Sequence, residues 1–219
     1  MADAVVFVGG GGHASVLLDA LAGRAELKLV GYVAPVPGRL SELGIPYLGT
    51  DEERFRLFEQ GVRLAVLGVA GSGGNDVRQP VFETWRHAGF EFVDVVHERA
   101  TVSASVSRGS GLQCMAGAVI NAGVALGTNV IVNSNATVEH DCVIGDHAHV
   151  APGATLCAGV VVGAGAFVGA GAVVVPGVQV GAWAMVGAGS VVIRAVPEGG
   201  RVAGVPAGPI NGKQRGIQA

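Results

Sequence analysis

The sequence predicts two units in series: a small Rossmann-like parallel α/β domain and then a parallel β-helix. Three observations lead there. Over the first hundred residues, short apolar runs alternate with segments of helical spacing. From Val102 onwards an aliphatic residue returns at every sixth position. Across that same stretch, from Val102 to Ile193, charge is confined to Arg108, Glu139, Asp141 and Asp146.

The first unit reads as follows. Ala4–Val8 is a short apolar run that ends in four glycines, Gly9 to Gly12, as a buried parallel strand entering a glycine loop would. His13–Leu21 carries Val16, Leu17, Ala20 and Leu21 at helical spacing, and Gly23 suits its end. Lys28–Val33 is a second strand. Asp51–Gln60 is a helix with acidic residues in its first turn, where the helix dipole favours them. Arg63–Val69 is a third strand, Asn75–Ala88 a helix with Pro80 near its start, and Glu91–Val95 a fourth strand.

The second unit follows from arithmetic. Stepping by six from Val102 to Val192 visits sixteen positions, and all but Arg108 and Cys114 are aliphatic. Two residues before many of them stands a small apolar residue, such as Ala118, Ala136, Ala148, Ala154, Ala166 or Ala184. A β-sandwich would need alternating strands with turns 8–12 residues apart. A hexapeptide period means one short flat strand and one turn per repeat, with three repeats to a triangular coil. The expected boundaries are 1–97 for the α/β domain, 98–196 for the β-helix and 197–219 for a C-terminal tail. Periodicity does not give the hand of the coil, and ordinary crossovers would make it right-handed.

Composition narrows the function. Half of the 219 residues are hydrophobic and 14% are charged, which excludes intrinsic disorder. A net charge of −3 argues against nucleic acid as a partner. No membrane span and no secretory leader are expected. Three cysteines without a CxxC read as reduced thiols of a cytoplasmic protein, with no metal.

Three segments carry a family resemblance: Gly9–Ala14, NSNATVEHDCVIGDHAHVAPG from Asn133 to Gly153, and Gly204-Val205-Pro206-Ala207. Together with the hexapeptide register, the chain resembles the left-handed β-helix acyltransferases. The branch is that of bacterial sialic-acid O-acetyltransferases and nucleotide-linked 4-amino-sugar N-acetyltransferases. The resemblance implies a left-handed helix, a homotrimer, acetyl-CoA as donor, and a nucleotide-linked amino sugar held partly by the N-terminal domain. It favours a 4-amino-4,6-dideoxyhexose as acceptor, with sugar O-acetylation as the alternative.

His140 and Asp141 are the candidate catalytic residues. His140 stands two positions after the interior Val138, so it belongs to a corner and points outward, and the carboxylate beside it fixes its tautomer. The resemblance makes His140 the general base and Asp141 its partner. It also brings His149 to the acetyl carbonyl at a subunit interface. Cys142 takes a small-residue position facing inward, so an inert thiol is expected rather than an acyl-cysteine. With no nucleophile in a triad, direct transfer is expected.

For the acceptor, Gly10, Gly11, Gly12 and His13 form a GxGxxA-type loop between strand and helix, suited to a pyrophosphate. A dinucleotide fold would want a carboxylate after the second strand, and here Tyr32-Val33-Ala34-Pro35 offers none. That argues against NAD. Some family members carry two aspartates near this place, and their absence leans the reading towards a GDP-linked sugar such as GDP-perosamine. Gly68, Asn75 and Arg78 of the next loop, and Asn133, are further candidate acceptor contacts. Ala158, Gly169 and Ala170 are candidate donor contacts, because small corners leave room for a pantetheine arm. Arg194, Arg201, Lys213 and Arg215 are either a solvated tail or a contact for the coenzyme's phosphates. The rival class is a structural β-helix or a metal-using hexapeptide protein, and the latter would need three zinc-ligating histidines across a subunit interface, for which the β-helix offers only His140, His147 and His149.

Overall fold

The computed structural model describes residues 2–71 and 77–210. The N-terminal domain is a five-stranded parallel sheet with β1 (Asp3–Val8) at its centre, β2 (Leu27–Val33) and β3 (Tyr47–Gly49) on one side, and β4 (Leu64–Leu67) and β5 (Glu91–Phe92) on the other. Val5, Val6, Phe7 and Val8 of β1 are all buried, because the sheet is covered on both faces. Helices α1 (Gly12–Ala20), α2 (Arg39–Glu42), α3 (Arg54–Glu59) and α4 (Arg78–His87) supply the covers. Pro80 falls in the first turn of α4, where its missing N–H removes no helical bond. The expected helix from Asp51 begins as a 3-10 turn at Asp51–Glu53 and continues as α3. Neither α2 nor β3 was foreseen. They are too short to carry a period.

The hexapeptide stretch winds into a left-handed parallel β-helix. The crossover rule does not govern it, since each connection is a tight corner and not a long excursion over a sheet. Through most of the prism each strand pairs in parallel with the strand eighteen residues on, as in Ile131, His149 and Phe167. Interior positions such as Val132, Val138 and Ile144 are shut off from solvent, each contributing about 1.5–3 kcal/mol by burial. Left-handed backbone recurs at the corners. Glycine supplies most of it, but Asn129, Asn135, Asp141, His147 and Trp183 occupy it too, with φ between 56° and 60°.

The prism has three faces. One begins at Val95–Val96 and runs through Gln113, Ile131, His149, Phe167 and Met185 to Arg201–Ala203, and the α/β domain docks on its early rungs. Val95 and Met115 share a core cluster with Val5, Phe7 and Leu17, so the two units are joined by one apolar interior. The boundaries therefore shift. Val95–Val96 already belongs to the β-helix, and part of the expected tail, Arg201–Ala203, is a strand paired in parallel with Met185–Val186. Arg108, at an interior register position, sits on the first rung of its face, where no coil lies beneath it. It turns to Asp94, Nε to Oδ2 2.7 Å.

Candidate functional site

His140 and Asp141 lie on the corner between the two faces that do not carry the α/β domain. The corner exists because Asp141 accepts φ +60° and hangs its N–H on Ala122 O, while His140 O takes the N–H of Gly159 one coil on. Both side chains are exposed, and His140 Nδ1 meets Asp141 Oδ2 at 2.8 Å. A carboxylate can only accept, so the ring proton sits on Nδ1 and Nε2 presents a lone pair to solvent. Beneath, Gly123 has φ +72°, and a Cβ there would strike Asp141 Oδ1. Glu139 is occupied by the Asn121 amide at 2.9 Å. Cys142 is buried and donates to Cys157 O, and burial pushes its thiol up, as an inert core residue requires.

His149 lies on the docking face and is 4% exposed. Asn133 Oδ1 accepts the N–H of Ser134 at 2.8 Å, so its amide nitrogen donates to His149 Nε2 at 3.2 Å. The imidazole proton is then on Nδ1, which is buried and without a partner. Desolvation, helped by the charge of Arg78, pulls the ring's pKa down to about 3. The group is a neutral N–H donor awaiting an acceptor. Phe167 packs edge-on against it with ring centroids 5.0 Å apart.

The glycine loop opens onto a cleft of about 400 Å³ lined by Gly9 to His13, Ala34, Pro35, Gly38, Gly68 and Val69 among others. Its glycines divide by role. A Cβ at Gly10 would run into the Tyr32 ring, and one at Gly68 into Gly9 O and Ala14, so these two are demanded by packing. Gly11 and Gly12 face open space, at the start of α1, where no side chain caps the helix. First-turn N–H groups are thus free for an anion. The side chain of His13 is engaged elsewhere. Gln113 gives its amide N–H to Leu67 O, so its Oε1 accepts from His13 Nε2 at 2.7 Å and the ring ties the loop to the β-helix.

Arg78 is also corrected. Expected as an acceptor contact, it is 0% exposed. Its guanidinium bonds Val69 O, Asn129 O, His147 O and, at 2.6 Å, Asn129 Oδ1, and burial lowers its pKa to about 9. It is an interdomain clamp, not an open cation. Asn129 passes the connection to His147 Nδ1, whose Nε2 lies 3.6 Å from Glu83. Sequence reasoning missed this chain of Arg78, Asn129, His147 and Glu83. The available sign was Asn129 and His147 at corner positions that glycine most often holds. Asn75, Lys213 and Arg215 lie outside the described residues.

The expected donor contacts are scattered on one chain. Ala158 stands one coil beyond His140 on the same corner, whereas Ala170 is exposed on a different corner. Gly169 is buried, and a Cβ would strike the backbone of the next coil, so coil packing already demands its small size. Arg201 gives one N–H to Met185 Sδ and leaves Nε unpartnered. Among the described residues no group of three or more metal-ligating side chains is gathered on the single chain. No helix among them is long and apolar enough to cross a membrane.

One relation governs the rest. The glycine cleft and His149 belong to the docking face, and His140 stands on the corner opposite that face. The prism separates them on a single chain.

Residues 126–158 and 159–194 match the family model for the bacterial transferase hexapeptide (six repeats). A comparison of the sequence with curated proteins finds no match. Among solved structures, the chain is similar to PerB from Caulobacter crescentus, solved with CoA and GDP-perosamine, at 39% identity and TM-score 0.88, covering 96% of this chain and 99% of that one. It is also similar to the acetyltransferase domain of PglB from Neisseria gonorrhoeae, solved with acetyl coenzyme A, at 32% identity and TM-score 0.85, covering 96% of this chain and 100% of that one. WeeI from Acinetobacter baumannii shares the fold at 20% identity and TM-score 0.69.

Proposed function

The chain belongs to the nucleotide amino-sugar N-acetyltransferases of the left-handed β-helix type, and we propose that it moves an acetyl group from acetyl-CoA to the 4-amino group of a GDP-linked 4-amino-4,6-dideoxyhexose such as GDP-perosamine. The observation that carries this is the His140–Asp141 corner, an exposed imidazole with Nδ1 pinned and Nε2 free.

The steps follow from that tautomer. The free amine attacks the thioester carbonyl, and Nε2 of His140 takes its proton as the C–N bond forms. The carbonyl oxygen becomes an oxyanion, for which the unpartnered Nδ1–H of His149 is a suitable donor. Collapse breaks the C–S bond, and the imidazolium returns the proton to the coenzyme thiolate. No acyl-enzyme is needed, in keeping with the buried Cys142.

Because the prism separates cleft from base, the reading requires a homotrimer in which the cleft and His149 of one subunit face the His140 corner of another. The third face, whose outward residues include Ala125, Val143 and Val161, is apolar enough to be covered by such a neighbour. A mass in solution of about 65 kDa, three times 21.8 kDa, is expected. The deciding experiment is thiol release from acetyl-CoA with a panel of nucleotide-linked amino sugars. Release with GDP-perosamine and not with the free sugar supports the reading. Silence with every amino sugar, or full activity in a monomer, overturns it.

A further inference from the structure

A second hollow, of about 520 Å³, adjoins the glycine cleft and shares Gly9, Ala34, Pro35 and Val69 with it. Val8, Val33, Val69, Val77 and Val81 make apolar walls, and Thr50 and Asp51 are the hydrogen-bonding side chains among its lining. It sits at the carboxyl ends of β1 and β2, where open parallel sheets place ligands. The sequence offers no carboxylate after β2. The structure supplies one from the next strand, since Asp51 follows β3.

Asp51 is held in place. The indole N–H of Trp85, itself fully buried, donates to Asp51 Oδ1 at 2.6 Å, and Arg54 donates to the Asp51 carbonyl at 2.7 Å. Among the described residues no hydrogen bond goes to Oδ2. A carboxylate fixed by one oxygen, in an apolar slot, is suited to a flat ring with N–H donors on its edge. Carboxylate oxygens only accept. Guanine sets two neighbouring N–H donors on one edge, its N1–H and 2-amino group. Uracil and thymine flank a single N–H with carbonyl oxygens that a carboxylate repels, and adenine and cytosine place a ring acceptor beside the amino group.

We infer that this slot takes the base of the acceptor's nucleotide and that Asp51 selects guanine. The inference rests on the nucleotide-sugar reading above and names the residue that sets its base specificity.

The test is binding without catalysis: calorimetric titration of GDP, IDP and UDP into the wild-type protein, Asp51→Asn and Val77→Trp. IDP lacks the 2-amino group. Wild type should bind GDP about tenfold more tightly than IDP and about a hundredfold more tightly than UDP, as charge-assisted hydrogen bonds of this kind weigh. Asp51→Asn keeps an oxygen for Trp85, so its thermal midpoint should hold. Its GDP affinity should fall ten- to a hundredfold while UDP is unmoved. Val77, 62% exposed beside the slot, becomes a plug as Trp and should weaken all three ligands. Equal binding of GDP and UDP, or an unchanged preference in Asp51→Asn, overturns the role of Asp51. Unaltered binding in Val77→Trp puts the base elsewhere. If no nucleoside diphosphate binds at all, the nucleotide-sugar reading itself falls.

Discussion

Asn133 donates its amide to Nε2 of His149 at 3.2 Å, and this bond leaves the imidazole proton on the buried, unpartnered Nδ1. Asn133 thus sets the position of a proton on another residue. His149→Phe keeps the packing on Phe167 but deletes the donor. It should lower kcat about 10²–10³-fold, the usual weight of one oxyanion donor, with the KM for the nucleotide sugar little changed. Steady-state kinetics of the variant would check it. Wild-type kcat would remove His149 from the reaction.

His140→Asn should cost about 10²–10⁴-fold in transfer rate, as loss of a general base does. Asp141→Asn should cost less, since it only orients the ring. Gly123→Ala is a third probe, because its methyl would strike Asp141 Oδ1 from below and loosen the pair without altering either residue. It should fall between wild type and Asp141→Asn in rate. Near-native turnover in His140→Asn would overturn the assignment.

Gly11→Val tests the anion loop cleanly, because open space surrounds that position and the fold should survive the change. The KM for the nucleotide sugar should rise while that for acetyl-CoA stays put. Gly10→Val is the contrast. It collides with Tyr32 and should lower the melting temperature before it says anything about binding. A two-substrate kinetic study in which only the acetyl-CoA constant rises would reassign the loop to the donor.

Stability should fall as the medium is acidified. Burial lowers the pKa of His13, His147 and His149, the last to about 3. These rings stay neutral in the folded protein while the unfolded chain takes up protons near pH 6.5, so the unfolded state binds more protons on the acid side. Each group steepens the loss by up to about 1.4 kcal/mol per pH unit as the pH drops below about 6.5. Thermal melts from pH 8 down to pH 4 should show a falling midpoint, and His149→Gln should flatten the slope. A midpoint indifferent to pH over that range would contradict the buried, neutral state.

The β-helix was legible in the sequence because its signal is summed over sixteen aligned positions, fourteen of them aliphatic for the same physical cause. The same register placed His140 outward and Cys142 inward. The α/β elements were legible where they are long. α2 and β3 were not, since four and three residues hold no period. The site was legible as far as adjacency reached: His140 and Asp141 are neighbours in sequence. Arg78 bonding Asn129, His13 bonding Gln113 and Trp85 bonding Asp51 join residues 51, 100 and 34 positions apart, and no local pattern marks such a pair. Arg78 was read, with Gly68 and Asn75 of the same stretch, as a contact for the acceptor. The fold instead closed over it and met it with carbonyls.

The Arg108–Asp94 pair on the first rung has a consequence for the solubility of the whole particle. A stack of identical flat rungs has no intrinsic end, and its terminal strands, Thr101–Val102 and Ser107–Arg108, offer bare backbone that a second prism could extend. Every rung above has an aliphatic side chain where Arg108 stands. A partner arriving end-on would have to bury a guanidinium and its carboxylate in the axis of a hydrocarbon column. The column therefore stops itself at its lower end and does not grow into a fibre.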